Sequence, residues 1–129
     1  MAMKNLISSL AAAASAAAVL TAAPLAFAHH SAAMFDTDKE VTVQGTVKEF
    51  QFTNPHSWLL VEVADAGGKV TVWSFETRNP STLLRSGIKK SSLVFGDKVT
   101  VKAHPLRDGR PGAELIAVTK ADGSVLTPL

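Results

Sequence analysis

Alternating apolar and polar residues predict a first strand in VTVQGTVKEFQF, residues 41–52. The three valines from Val41 to Val47 lie on one side of an extended chain, because the side chains of a strand point to its two faces in turn. The apolar positions then change parity and fall on Phe50 and Phe52. This change predicts a bulge or bend in the second half of the strand.

A hairpin follows the turn sequence TNPHS. WLLVEVAD (58–65) and KVTVWSFET (69–77) read as strands, and Gly67-Gly68 reads as the tip between them. Pairing about that tip sets Leu60 opposite Phe75. It also sends Glu62 and Glu76 to opposite faces, which makes them a poor acid–base pair. The pattern then predicts one or two helical turns over 79–87, a fourth strand within FGDKVTVKAHPL (95–106) and a fifth strand over 113–123.

Five strands with a short helix between the third and the fourth are typical of an all-β, OB-like Greek-key barrel. We therefore expect a five-stranded OB-like barrel, and a small β-sandwich is the alternative. In an OB-like barrel the loops between strands 1 and 2 and between strands 4 and 5 flank one binding face.

The first 28 residues read as a secretory signal peptide. Lys4 gives a positive start, an uncharged Ala- and Leu-rich run follows, and Ala26-Phe27-Ala28 supplies small residues at the cleavage positions. We expect cleavage after Ala28 and a periplasmic or secreted product with no membrane span. The organisation is then a signal peptide over 1–28, an extended arm over 29–40 and a barrel domain over 41–129.

Composition narrows the range of partners. Without its leader the chain has 101 residues with 12 basic and 11 acidic side chains, which is enough for one domain. No basic block is present, so nucleic acid is not an expected partner. The chain has no Cys, which excludes disulfides, thiolate metal sites and cysteine nucleophiles.

The four histidines are the strongest candidates for chemistry. His29 and His30 would open the processed chain, His56 lies in the loop between strands 1 and 2, and His104 lies near the loop between strands 4 and 5. An amino-terminal histidine can chelate a metal through its amine and its ring, and nitrogen donors favour copper and then zinc. The predicted metal ligands are therefore His29, His56 and His104, with His30 as an alternate.

Acidic and aromatic side chains supply further candidates. Asp36, Asp38 or Glu76 can orient a ring nitrogen of a metal-bound histidine from outside the ligand set. Aromatic residues of the hairpin form a second candidate surface, because strands 2 and 3 of OB barrels carry stacking ligands. That predicted ligand-binding face consists of Trp58, Trp73 and Phe75.

Several segments resemble a family of small secreted bacterial proteins of unknown function. The resemblance rests on the His-His-Ser start after the signal, Asn-Pro-His-x-Trp (54–58) and Trp-x-Phe-Glu (73–76), and it extends over nearly all of the processed chain. It implies export and a small β-barrel, and it assigns no activity or cofactor. The histidines and aromatic residues at its motif positions are His29, His30, His56, Trp58, Trp73 and His104, together with Glu76.

Two functions fit these features. The first is a periplasmic metal-binding module, with copper first and zinc second, that acts as a carrier, buffer or sensor rather than as an enzyme. The second is an OB-like binding module for a saccharide, a peptide or an envelope protein, without a metal. A copper-dependent oxidase is a weaker third idea, because the chain is small for building a substrate platform as well.

Overall fold

The computed structural model describes residues 32–129. The predicted order of strands and helix is confirmed, with a short helix between the third and the fourth strand. Short 3-10 turns lie at Ala32–Met34 and Lys90–Ser92, and a sixth strand lies near the end of the chain. The elements are β1 (Val41–Gln51), β2 (Trp58–Ala64), β3 (Val70–Glu76), α1 (Pro80–Arg85), β4 (Lys98–Pro105), β5 (Gly112–Lys120) and β6 (Val125–Leu126).

The sheet closes into the predicted barrel. Its strands follow the order β3-β2-β1-β4-β5, and a parallel pairing of β3 with β5 closes the ring. The short β6 pairs with the outside edge of β5. The fold is therefore a closed five-stranded mixed barrel of the OB-like kind with one strand outside it, rather than a sandwich.

Strand β1 is bent and pairs with two neighbouring strands. Its first half pairs with β4 as far as Thr46, and its second half pairs with β2. A bulge between Val47 and Glu49 shifts the register, as the change of apolar parity predicts. At Gly45 the backbone comes so close to β2 that an added Cβ would overlap the Glu62 carbonyl and lie 2.6 Å from Val61 Cγ1.

The predicted register of the β2–β3 hairpin is wrong by one residue. Leu59, not Leu60, lies opposite Phe75. The loop consists of residues 66–68, as the predicted strand bounds at 65 and 69 imply, but the pairing is centred on Gly67 and not on the Gly67-Gly68 pair. The Asp65 amide donates to the Lys69 carbonyl at 2.9 Å, and Gly68 adopts a φ of 82°. This is the three-residue hairpin loop with a left-handed residue at its end.

A shift of one residue moves every side chain of β3 to the other face relative to β2. Glu62 lies opposite Val72, so it shares a face with Glu76, contrary to the sequence prediction. The two carboxyl groups remain a poor pair, because four residues of strand separate Val72 from Glu76 and span about 13 Å.

The core fills the barrel and continues under the helix. Phe75, Leu59 and Val61 from the hairpin are fully buried, as are residues of β4 and β5. Asn79 caps α1 by accepting a 2.9 Å hydrogen bond from the Thr82 amide, and Leu83 on that helix packs into the core. The face of β3 that carries Phe75 is therefore the inner face, and Glu76 lies on the outer one.

The described part of the arm, residues 32–40, is docked rather than simply extended. Phe35 forms a β-bridge with Leu106 and is buried. The Asp36 amide donates to the Pro105 carbonyl at 2.8 Å, and a turn follows in which the Lys39 amide donates to the Asp36 carbonyl. The sequence of the arm shows no clear period and predicts an extended segment, without indicating which residue anchors it to the barrel. One buried aromatic residue supplies that anchor.

Within residues 32–129, no helix has the length and apolar character needed to cross a membrane.

Candidate functional site

A row of polar and aromatic side chains crosses the outer face of the barrel. Strand pairing sets Trp58 opposite Glu76, Glu76 opposite Glu114, and Glu114 opposite His104. Residues that lie directly opposite each other in a sheet share a face. The row therefore runs over β2, β3, β5 and β4, and we call Trp58, Glu76, Glu114 and His104 the outer row.

Glu76 is buried although it lies on the outer face. Only 5% of its surface is exposed, and its Oε2 atom has no hydrogen-bond partner. The neighbouring Thr77 Oγ1 is likewise buried and without a partner. The pairing of β3 with β5 ends at Glu76 and Glu114, and a cavity of about 30 Å³ lies at this end, lined by His56, Glu76, Thr77, Arg78, Glu114 and Leu115. It has room for one water molecule or one ion.

His56 reaches the outer row from the β1–β2 loop. The loop is held by Ser57, whose amide donates to the Arg78 carbonyl at 3.1 Å and whose carbonyl accepts from the Thr77 amide at 2.9 Å. His56 Nδ1 lies 3.3 Å from the Thr77 carbonyl oxygen and 3.2 Å from Glu76 Oε1. A carbonyl oxygen can only accept, so Nδ1 carries the proton and donates. In the neutral ring, Nε2 then has the free lone pair.

His104 is arranged in the same way. Its Nδ1 lies 2.8 Å from the Lys39 carbonyl oxygen, so this ring also donates from Nδ1, and in its neutral form the lone pair is on Nε2. The acceptor belongs to the docked arm, and the turn that precedes it is closed by the Asp36 carbonyl. The arm therefore sets the tautomer of His104.

The structure brings together some of the predicted metal-site residues. His56 contacts Glu76, as expected for an orienting carboxylate, and His104 lies two strands from Glu76 in the outer row. His29 and His30 lie outside the described residues. Between residues 32 and 129, no three His, Asp or Glu side chains already stand as a group that could hold a metal ion.

Asp36 and Asp38 do not contact the described histidines. Asp36 pairs with Lys39 at 2.9 Å and with Arg107 at 3.5 Å. The hydrogen bond from the Lys39 ammonium, helped by the charges of Lys39 and Arg107, holds the pKa of Asp36 below its ordinary value. Asp38 is exposed. Asp36 thus fixes the arm, and its effect on His104 passes through the arm backbone.

The aromatic residues of the hairpin do not form one face. Phe75 is fully buried in the core, and Trp73 stacks on it with ring centroids 5.9 Å apart. Trp58 lies on the outer face, opposite Glu76. The one-residue error in register is the cause, since it placed these three side chains on a common side.

Sequence reasoning missed two surface features. Glu114 stands alone on a strand with no motif around it, and only the β3–β5 pairing sets it beside Glu76. Phe95 is 80% exposed and borders a groove of about 770 Å³ between β1 and the 3-10 turn, whose lining includes Phe52, Lys48 and Lys90. Phe95 lies within the turn that the Asp97 amide closes by donating to the Val94 carbonyl, and the sequence gave no signal that its ring would remain outside the core.

Comparison with known proteins gives one match. No curated protein and no solved structure matches the chain. One family model matches residues 14–114, which is most of the chain and includes His56, Glu76, His104 and Glu114. The chain therefore belongs to DUF6152, a family of unknown function.

Proposed function

We propose that this chain is an exported metal-binding module that holds a divalent transition-metal ion, copper(II) first and zinc(II) second, as a carrier, buffer or sensor. The observation that carries the proposal is the hydrogen bonding of the two described histidines, His56 and His104, at Nδ1. In both rings Nδ1 donates to an oxygen acceptor, so in its neutral form each ring has the Nε2 lone pair available for a ligand.

This arrangement is the one that metal-binding histidines use. Their second ring nitrogen donates to a carboxylate or a carbonyl, which fixes the tautomer and raises the basicity of the ligating nitrogen. His56 has both kinds of acceptor, in Glu76 and Thr77. The buried Glu76 carboxylate also places negative charge behind the ring, where it favours a cation bound at Nε2.

The amino-terminal histidine completes the proposed copper site. Cleavage after Ala28 would free the amine of His29, and export to the periplasm or the medium is part of the proposal. His29 lies four positions before Ala33, whose carbonyl accepts a 3.1 Å hydrogen bond from Arg107 Nε. The 3-10 turn begins at Ala32, and three extended residues before it span up to about 11 Å, so His29 has the reach to approach the surface around His104.

Titration of the processed chain, starting at His29, with Cu(II) and Zn(II) tests the proposal. We expect His56→Gln and His104→Gln each to weaken copper binding by at least about tenfold, since even the outer partners of a metal-bound histidine are worth about 10- to 100-fold. One extra residue before His29 should weaken copper binding similarly. Lys69→Gln, at the hairpin tip, is the control. Equal affinity in all variants, or no binding by the unaltered chain, contradicts the proposal.

A further inference from the structure

Glu114 stands between the two described histidines. It lies opposite His104 on one side and opposite Glu76 on the other, and Glu76 contacts the His56 ring. Neighbouring strands are about 4.8 Å apart, so the backbone of His104 is about 10 Å from that of Glu76. His56 enters from a loop rather than from the sheet, and its ring closes part of this distance. The outer row has two acidic residues between the histidines, and of these Glu76 already contacts His56 at Nδ1, which leaves Glu114 as the candidate ligand.

The cavity beside Glu114 is lined by two residues that each have a buried polar atom without a hydrogen-bond partner. Glu76 Oε2 has no partner, and neither has the hydroxyl of Thr77. A buried polar atom without a partner costs about 1–3 kcal/mol, and a charged one costs more. Arg78 also lines the cavity, but its Nε donates to the Leu129 carbonyl at 3.1 Å. A cation bound next to Glu114 and His56 would offset the negative charge of the nearby Glu76 carboxylate without binding it.

We propose that Glu114 is a metal ligand, and that His56 Nε2, His104 Nε2 and a Glu114 carboxylate oxygen form a two-histidine, one-carboxylate site for zinc(II). The inference rests on the proposed function and changes its ligand set. Three protein ligands with a position left open for water are a known zinc arrangement, with Zn–N and Zn–O distances of about 2.0–2.2 Å. Such a site needs neither the amine of His29 nor the cleavage that would free it.

Ligand binding requires side-chain movement but no change of fold. The described side chains are not yet grouped around a metal position. The Glu114 side chain is half-buried, so its rotamer has room to change, whereas the His56 and His104 rings are held at Nδ1 by their carbonyl acceptors. Such changes are fast at partly exposed positions. In the proposed site Glu76 keeps its place behind His56 and does not bind the metal.

Zinc(II) titration in competition with a chromophoric chelator tests the inference on the processed chain. Glu114→Gln is expected to lose about a hundredfold in zinc affinity, at least as much as the loss of an outer partner. Glu62→Gln, on the same outer face of β2, is the matched control and should bind as the unaltered chain does. An extra residue before His29 should leave zinc affinity unchanged while it weakens copper binding.

The outcomes separate the two proposals. If the unaltered chain binds zinc and Glu114→Gln binds it equally well, Glu114 is not a ligand, and the proposed function stands without it. If the unaltered chain binds neither metal, both proposals fail. If Glu114→Gln does not fold, the test is instead an NMR titration of the unaltered chain with zinc(II) that follows the carboxyl ¹³C resonance of Glu114. A zinc-dependent shift of that resonance supports the inference, and a constant resonance overturns it.

Discussion

Replacement of Glu76 by glutamine is expected to make the metal-free domain more stable. The side chain is 5% exposed, and Oε2 has no partner, so the folded state bears the cost of a buried charged oxygen. That cost is about 1–3 kcal/mol or more. Glutamine keeps the shape and an oxygen for His56, and it leaves a neutral group unpartnered in place of a charged one. The His56 ring also retains the Thr77 carbonyl.

We therefore expect Glu76→Gln to raise the free energy of unfolding by about 1 kcal/mol, a difference between the two desolvation costs. In a domain of this size, 1 kcal/mol raises the melting temperature by about 4–8 °C. Bound metal should cancel this gain in the free energy of unfolding, because the variant binds the ion more weakly. An ion at 100 times its Kd stabilises the folded state by about 2.7 kcal/mol, and a tenfold loss of affinity lowers this to about 1.4 kcal/mol.

Urea unfolding, followed by tryptophan fluorescence with and without Zn(II), measures both effects. Glu62→Gln controls for loss of a carboxylate on the outer face and should change neither curve by more than about 0.5 kcal/mol. A metal-free Glu76→Gln protein that is less stable than the unaltered chain by 1 kcal/mol would refute the reasoning. Such a result would mean that Oε2 has a partner in solution.

Two further predictions concern the scaffold. Gly45→Ala should lower the free energy of unfolding by about 1–3 kcal/mol, since its Cβ would meet Val61 Cγ1 at 2.6 Å. Gly67→Ala, at the hairpin tip, is the control and should leave the free energy of unfolding nearly unchanged. Equal urea midpoints for the two variants would contradict this prediction. The depressed pKa of Asp36 means that its contribution to holding the arm is complete above the ordinary aspartate range and is lost as pH falls through the lowered value. The protection factor of the Arg107 amide, which donates to the Met34 carbonyl of the arm at 3.0 Å, should therefore fall on acidification, and Asp36→Asn should remove that pH dependence. An unchanged profile of the protection factor in the variant would rule out Asp36 as the titrating group.

Periodicity was sufficient to predict the strands, the helix and the barrel, because these follow from local alternation and from turn residues. It failed at the hairpin, where the number of loop residues, rather than the strand pattern, sets the register. Gly67-Gly68 fits a two-residue turn as a sequence, but Asp65 bonds the amides of Gly67 and Lys69 through Oδ1 and stabilises a longer loop. That contact depends on side-chain geometry that no periodicity records.

The candidate site was predictable only in part. Histidine and carboxylate chemistry pointed to His56, His104 and Glu76, since few side chains in the chain ligate metals. Glu114 was not predictable, because its significance comes from a parallel pairing between strands that are distant in sequence. The ring tautomers depend on the Thr77 and Lys39 carbonyls, and backbone acceptors leave no trace in a sequence.

The hydrogen bond from His104 to the Lys39 carbonyl has a thermodynamic consequence. Because this carbonyl belongs to the arm, docking of the arm and metal binding at His104 are linked equilibria in the proposed site, and each must favour the other by the same factor. A bound ion would then protect the arm from proteolysis. Conversely, a partner that lifts the arm at Phe35 would lower the affinity of the site and release the ion without touching a ligand.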